Sequence, residues 1–224
     1  MQNPAQPHST VFNEHYWSGG APEKIHVFLQ GNNLPARFVT ARTFTVAELG
    51  FGTGLNFLLT TRLWQQAAPT GAHLTYISYE LYPLSLNQLQ SIHAAFLPEL
   101  QTLASQLLAL YNLQSGWNTL SFPQITLHLY IGDALTGIPT HPQSADAWFL
   151  DGFSPLNNPD MWQPELLNQI AIHTNPGGTA STYSVASRVQ KGLAAAGFQI
   201  EQIKGFPPKG RMLHAVKNGL PAAL

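Results

Sequence analysis

The run Glu48-Leu49-Gly50-Phe51-Gly52-Thr53-Gly54 constrains this chain more than any other. An apolar segment, residues 44–49, leads into it. Residues 55–66 leave it with leucines at 55, 58, 59 and 63, near helical spacing. Strand, glycine turn and helix form the opening unit of a doubly wound sheet, whose ligand crevice lies at the carboxyl ends of the strands. Glycines there adopt positive φ and let backbone approach a ligand closely. A dinucleotide site uses Gly-x-Gly-x-x-Gly, which sets a helix N-terminus against a pyrophosphate. Here the spacing is Gly-x-Gly-x-Gly. From the glycines alone, a cofactor turn and a plain tight turn both stay open.

Hydrophobic periodicity predicts the remaining elements. Residues 74–79 read as a strand ending at Glu80, 125–131 as one ending at Gly132-Asp133-Ala134, and 145–150 as one ending at Asp151. Residues 84–111 are leucine-rich at helical spacing and interrupted by Pro98, which predicts two helices in an insertion over 84–114. A helix over 164–173 opens on Pro164, suited to a first turn. Pro176-Gly177-Gly178 turns into a strand over 179–183, and a helix over 185–196 stops at Gly197. Residues 198–203 and 212–216 close the sheet as an antiparallel pair. Upstream, residues 1–10 read as a loose arm and 25–29 as a short strand. Strands alternating with helices define a doubly wound α/β sheet. The expected organisation is one structural domain: an N-terminal extension over 1–43, packed on a core of residues 44–224.

The 224 residues suffice for one such domain. A net charge of −1 excludes a strongly basic nucleic-acid binder, so RNA contact would need a local patch. Lys204, Lys209 and Arg211 around Pro207-Pro208 are the one local basic cluster, read either as a solvated loop or as a phosphate contact. Cysteine is absent, which removes disulfides, thiol nucleophiles and thiolate metal sites. The nine histidines show no ligand spacing, so no metal is expected. No apolar run approaches the roughly 20 residues that span a bilayer. A cytoplasmic protein without a membrane partner is expected.

Three consecutive strands thus end at an acid or a glycine turn facing one crevice. S-adenosyl-L-methionine suits that pattern, since it carries no phosphate and needs no phosphate clamp. Gly50, Gly52, Gly54 and Asn56 would border it, with Glu48 near its positive methionine end. Glu80 would accept both ribose hydroxyls, because an ionised carboxylate is a pure acceptor. Asp133, beside Ala134, would take the adenine amino group. Each acid can equally be a strand-end cap. Asp151-Gly152-Phe153-Ser154-Pro155-Leu156-Asn157-Asn158-Pro159-Asp160-Met161-Trp162 follows the fourth strand, where cofactor and substrate should meet. It offers one carboxylate, aromatic faces and rigid prolines, a set that suits a flat polar substrate. The alternative is that Phe153 and Trp162 are core and Asp151 caps a turn.

Residues 27–38, 48–57, 146–162 and 205–213 resemble the methyltransferase domain of the MnmC family, the tRNA 5-methylaminomethyl-2-thiouridine biosynthesis proteins, or a stand-alone relative of it. The resemblance runs from about residue 12 to 216 and rests most on the Asp-Gly-Phe-Ser-Pro…Asn-Pro-x-Met-Trp signature. It implies a class I S-adenosylmethionine-dependent methyltransferase fold, a Rossmann-like doubly wound sheet. It also implies N-methylation of 5-aminomethyl-2-thiouridine at the tRNA wobble position. Gly50, Gly52, Gly54, Glu80 and Asp133 would then surround the cofactor. Asp151 would be the catalytic residue at the reacting amine, an orienting acceptor and proton recipient. Phe153, Pro155 and Trp162 would hold the base, and Lys209 and Arg211 the RNA. The chain departs from the family at Leu156 and Asn157, where a small residue and a Lys are common. It departs again at Lys209-Gly210-Arg211-Met212, where Lys-Arg-Glu-Met is usual. Bifunctional members continue into a flavin oxidoreductase domain, and that activity is expected on a separate or lost domain. Methyl transfer to a small-molecule amine or acid remains an alternative, as does a non-catalytic nucleotide-binding module. A nicotinamide-dependent dehydrogenase fits the glycine spacing less well.

Overall fold

A computed structural model describes residues 7–17 and 19–218. A two-stranded ribbon, β1 (His8–Ser9) and β2 (Glu14–His15), comes first. Two short helices follow, α1 (Gly20–Lys24) and α2 (Leu34–Phe38). The core begins with β3 (Thr43–Leu49), α3 (Leu55–Ala67) and β4 (His73–Glu80). Helices α4 (Leu86–His93) and α5 (Gln101–Leu110) precede strands β5 (Gly116–Phe122) and β6 (Ile125–Ile131). Next come α6 (Ala134–Gly137), β7 (Ala145–Leu150), α7 (Pro164–Ile172) and β8 (Thr174–Thr182). The chain closes through α8 (Ser187–Ala195), β9 (Phe198–Lys204) and β10 (Arg211–Lys217).

Eight strands form one sheet in the order β5-β6-β4-β3-β7-β8-β10-β9. The central five, β6 to β8, are parallel; β5, β10 and β9 pair antiparallel at the two ends. Chain order reverses between β3 and β7, which is the topological switch point where such sheets bind ligands. Alternate residues of the inner strands bury on opposite faces. Val46, Tyr76 and Phe149 pack with α3, α5 and residues 27–38 on one side. Ala47, Ile77 and Trp148 pack with α7 and α8 on the other. Both faces are covered, which is why β3, β4 and β7 read as nearly unbroken apolar runs. Ser85 and Gln88 close a capping box that starts α4, and Gly197, at φ +92°, turns the chain out of α8.

Four expectations change. Residues 25–29 are helical: Ile25–Gln30 form a π turn that continues α1. Their aliphatic and aromatic side chains suggested a strand, but Val27, Phe28 and Leu29 are buried against the sheet face, and packing outweighs propensity. Asn32 then pins the segment, donating to the Phe28 carbonyl at 2.9 Å and to Ser181 Oγ at 2.6 Å. The expected helical insertion is followed by an edge strand, β5, that was not anticipated. β8 begins at Thr174, so the Pro176-Gly177-Gly178 turn lies inside it, beside a register shift at Ala145/Ala147. Of the expected loose arm, residues 1–6 lie outside the described residues, and His8 and Ser9 pair with His15 and Glu14. Among the described residues no helix is long and apolar enough to cross a membrane.

Candidate active site

The carboxyl ends of β3, β4, β6 and β7 open into one cavity of about 540 Å³, within the usual size of a ligand site. Gly50, at φ +81°, begins the turn after β3. A Cβ there would stand 2.9 Å from the Asp151 carbonyl oxygen, so glycine lets the ends of β3 and β7 lie together. Gly52, at φ +52°, faces the Tyr16 ring from the cavity wall. Gly54 sits at the start of α3 against Phe51 and Leu107, outside that wall.

Glu80 ends β4 beside this turn. Its Oε2 accepts the Gly52 N–H at 2.8 Å and its Oε1 the Tyr82 N–H at 2.8 Å. Burial pushes its carboxyl up, and the backbone donors oppose that. Each oxygen keeps a lone pair for a further donor, as a ribose diol requires. Asp133 caps α6 through Oδ1, which accepts the Leu135 N–H at 2.8 Å, and with Ala134 it lines the cavity. A carboxylate with spare lone pairs beside a glycine turn without the pyrophosphate spacing fits S-adenosylmethionine.

Glu48 is placed differently from the expectation. It lies beneath the cavity, 1% exposed, with Oε1 accepting Asn56 Nδ2 at 2.8 Å and Oε2 accepting the Ser78 hydroxyl at 2.9 Å. Burial first, and then the Asp151 charge, push its carboxyl up to about 8. Among the described residues Asn56 Oδ1 and Tyr76 Oη are buried without a partner. Glu48 thus lies below the floor and not on the cavity wall, with burial favouring the protonated form of its carboxyl.

Asp151 leaves β7 into the cavity. Its Oδ2 accepts Asn56 Nδ2 at 2.7 Å and Lys24 Nζ at 2.5 Å. Burial pushes its carboxyl up, while the Lys24 ammonium and the Asn56 amide push it back. Phe153 stacks on Phe12 with ring centres 4.7 Å apart and meets Tyr16 edge-on at 5.4 Å. Glu14 ties the N-terminal ribbon to the same loop, accepting from Ser154 N at 3.0 Å and Asn157 Nδ2 at 2.9 Å. Tyr183 donates to the Gly152 carbonyl at 2.8 Å, and Lys209 Nζ lies 3.6 Å from the Tyr183 ring centre.

Five expected substrate contacts separate here. Phe153 and Lys209 line the cavity. Trp162 is 3% exposed, packed with Leu166 and its neighbours, and donates its indole N–H to the Phe153 carbonyl at 2.9 Å. It has no free face for a base; it folds the loop. Pro155 lies outside the cavity wall, and Arg211 is exposed on β10 opposite Lys204. Sequence reasoning missed Lys24, Tyr183, Phe12 and Tyr16. Lys24 alone left a signal, a single cation just before the apolar run that starts at Ile25.

A doubly wound sheet with a glycine turn after its first core strand and acids at the strand ends beside the switch point is the architecture of a class I methyltransferase. The chain belongs to the S-adenosyl-L-methionine-dependent methyltransferase family whose model matches residues 98–218. It is 43% identical over 217 residues to the tRNA 5-methylaminomethyl-2-thiouridine biosynthesis bifunctional protein MnmC of Chromobacterium violaceum, covering 93% of this chain and 33% of that protein. The protein of the same name from Pseudomonas entomophila is 38% identical over 226 residues, covering 97% and 34%. The chain therefore spans about a third of the length of these curated relatives. Among solved structures it is similar to MNMC2 from Aquifex aeolicus, with a TM-score of 0.78 at 24% identity over 95% of this chain and 67% of that one. It is also similar to DesVI of Streptomyces venezuelae, with a TM-score of 0.51 at 12% identity over 88% and 91%. Both structural likenesses concern the fold.

Proposed function

We propose that this enzyme methylates the primary amine of 5-aminomethyl-2-thiouridine at the tRNA wobble position, giving 5-methylaminomethyl-2-thiouridine. The observation that carries the reading is Asp151, which lines one cavity together with the glycine turn after β3 and Phe153. The printed names of the relatives point to the same modified base. When bound, S-adenosylmethionine supplies the methyl group: the amine lone pair forms the C–N bond and the methyl–sulfur bond breaks with its pair left on sulfur. Glu80, Gly50, Gly52 and Asp133 would hold the cofactor. Asp151 orients the amine through an N–H donated to its carboxylate. Phe153 offers a ring to an unpaired, splayed anticodon base, the form in which RNA bases are read. The gain comes chiefly from holding the reacting atoms near about 3–3.5 Å in line. A cytoplasmic location and a flavin oxidoreductase partner, on the same or another chain, belong to this reading.

A small-molecule amine is the second reading, favoured by the near-neutral charge and by Lys204 and Arg211 standing away from the cavity wall. Transfer of tritiated methyl to tRNA lacking the final wobble methyl separates the two. Label in that nucleoside supports the RNA reading; label only in simple alkylamines overturns it.

A further inference from the structure

Lys24 is a primary alkylammonium buried against the acid of the site. α1 ends on it, only 6% of it is exposed, and its Nζ lies 5.3 Å from the Phe28 ring centre. Lysine is almost never buried so far without a partner, and the partner is Asp151 Oδ2 at 2.5 Å. Asn56 Nδ2 reaches the same oxygen at 2.7 Å. Both donors use Oδ2, which leaves Oδ1 for a donor arriving from the cavity.

Asp151 alone would hinder the reaction it serves. An alkylamine of the lysine type keeps its proton up to a pKa of about 10.4, and only the unprotonated nitrogen has a lone pair to give. A lone carboxylate favours the ammonium form. A carboxylate already neutralised by an ammonium does so far less, yet its second oxygen still accepts a hydrogen bond from a neutral N–H. We propose that Lys24 is a positioning residue that acts through Asp151: by holding it in a neutral ion pair, it makes the site take its acceptor as free amine, oriented on Oδ1. The acceptor's extra proton leaves to solvent before nitrogen attacks. The inference rests on the reading of the acceptor as a primary amine.

The surrounding charges give the sign. Glu23 flanks Lys24 on α1, and Lys209 reaches in from the loop before β10; both couple to the pair. Glu14 on the ribbon couples to Tyr183 and Lys209. Burial pushes the Glu48 carboxyl on β3 up to about 8, toward its neutral form, and holds the Tyr183 hydroxyl protonated. Among the described residues, removing Lys24 leaves Asp151, Glu23 and Glu14 coupled to Lys209, and a bound ammonium then supplies the missing cation.

The test compares wild type, Lys24→Arg and Lys24→Met in single-turnover methyl transfer to tRNA carrying 5-aminomethyl-2-thiouridine, over a wide pH range. A second arm measures binding of the same tRNA in the presence of S-adenosylhomocysteine. The acidic limb of the rate profile is expected to coincide for wild type and Lys24→Arg and to move up by roughly 1–3 pH units in Lys24→Met. In the binding arm Lys24→Met should prefer the protonated amine and lose affinity as pH rises, a loss the wild type does not share. Unchanged S-adenosylmethionine affinity shows that the variant has folded; if Lys24→Met does not fold, Lys24→Gln carries the same expectations. A rate that falls by one factor at every pH, or exceeds wild type, with no pH preference in binding, overturns the inference and leaves the acceptor reading standing. Wild type that neither binds nor methylates this tRNA overturns both.

Discussion

Asn56 Nδ2 lies 2.8 Å from Glu48 Oε1 and 2.7 Å from Asp151 Oδ2, so one amide joins the buried acid of β3 to the acid at the end of β7. Asn56→Ala removes a donor from both carboxyls at once. Asp151 then loses one of the two contacts that fix its rotamer, and a misplacement of about 1 Å at a reacting centre costs about 100-fold in rate. The expected outcome is a fall of that order in the single-turnover rate. Affinity for S-adenosylmethionine should hold, because Glu80 and the glycine turn are untouched. Calorimetry alongside the rate checks this; equal losses in both would move Asn56 into the cofactor contacts.

Glu48 makes stability depend on pH in an uncommon direction. Its folded carboxyl stands near 8 against an ordinary value of 4.5, so between those values the folded chain holds a proton that the unfolded chain has released. The stability from this group is full below 4.5 and is lost as pH rises to about 8. Each pH unit in that window is worth up to about 1.4 kcal/mol. Glu48→Gln keeps a neutral side chain of the same shape and removes the slope. Thermal melts should show the variant gaining on wild type from pH 5 to pH 8, with the gain flat above that. A constant difference across the range would mean that Glu48 is charged in the fold.

How much of this was legible in the sequence follows from distance along the chain. The glycine turn, Glu80, Asp133 and Asp151 are each the last residues of an apolar run, and in a parallel sheet such residues share one edge. Local pattern is enough for them. The Lys24–Asp151 pair spans 127 positions and has no local signature. β5 was missed because it is an edge strand with one well-buried side chain, Leu120, among polar neighbours, so no period stands out. Trp162 misled for another reason. An aromatic in a proline-rich loop looks the same whether it stacks on a ligand or fills the core, and only the neighbouring Leu166 and the Phe153 carbonyl decide.

Glu80 carries the sharpest expectation about the cofactor. Its two oxygens are each held by a backbone N–H, from Gly52 and Tyr82, so their direction is fixed before any ligand arrives. A hydrogen bond to a charged group contributes about 1.5–3 kcal/mol. Glu80→Ala should therefore weaken S-adenosylmethionine binding by roughly 10–100-fold in calorimetry. It should also loosen the turn at Gly52. Glu80→Gln separates the effects, since its amide oxygen can still hold one N–H while the second acceptor is lost. Unchanged affinity in both variants would remove Glu80 from the cofactor site.

Phe153 and Trp162 sit nine residues apart in one loop and should answer to different measurements. Phe153 faces the cavity, stacked on Phe12, so Phe153→Ala should raise the KM for the acceptor and leave both cofactor affinity and thermal stability nearly unchanged. Base–aromatic stacking is worth about 1–3 kcal/mol, which sets the expected change at roughly 5–100-fold. Trp162 is buried, and its truncation belongs with core deletions, which cost about 3–5 kcal/mol for Trp→Ala. Trp162→Phe keeps most of the volume and loses the N–H to the Phe153 carbonyl, at a cost of about 1 kcal/mol. The loop then has one tether fewer, and Asp151 at its root is held less firmly. The melting temperature should fall for both Trp162 variants, with the rate falling further than acceptor affinity. If Trp162→Phe instead raises only the KM for the acceptor, with stability intact, the indole contacts the base and the loop opens on binding.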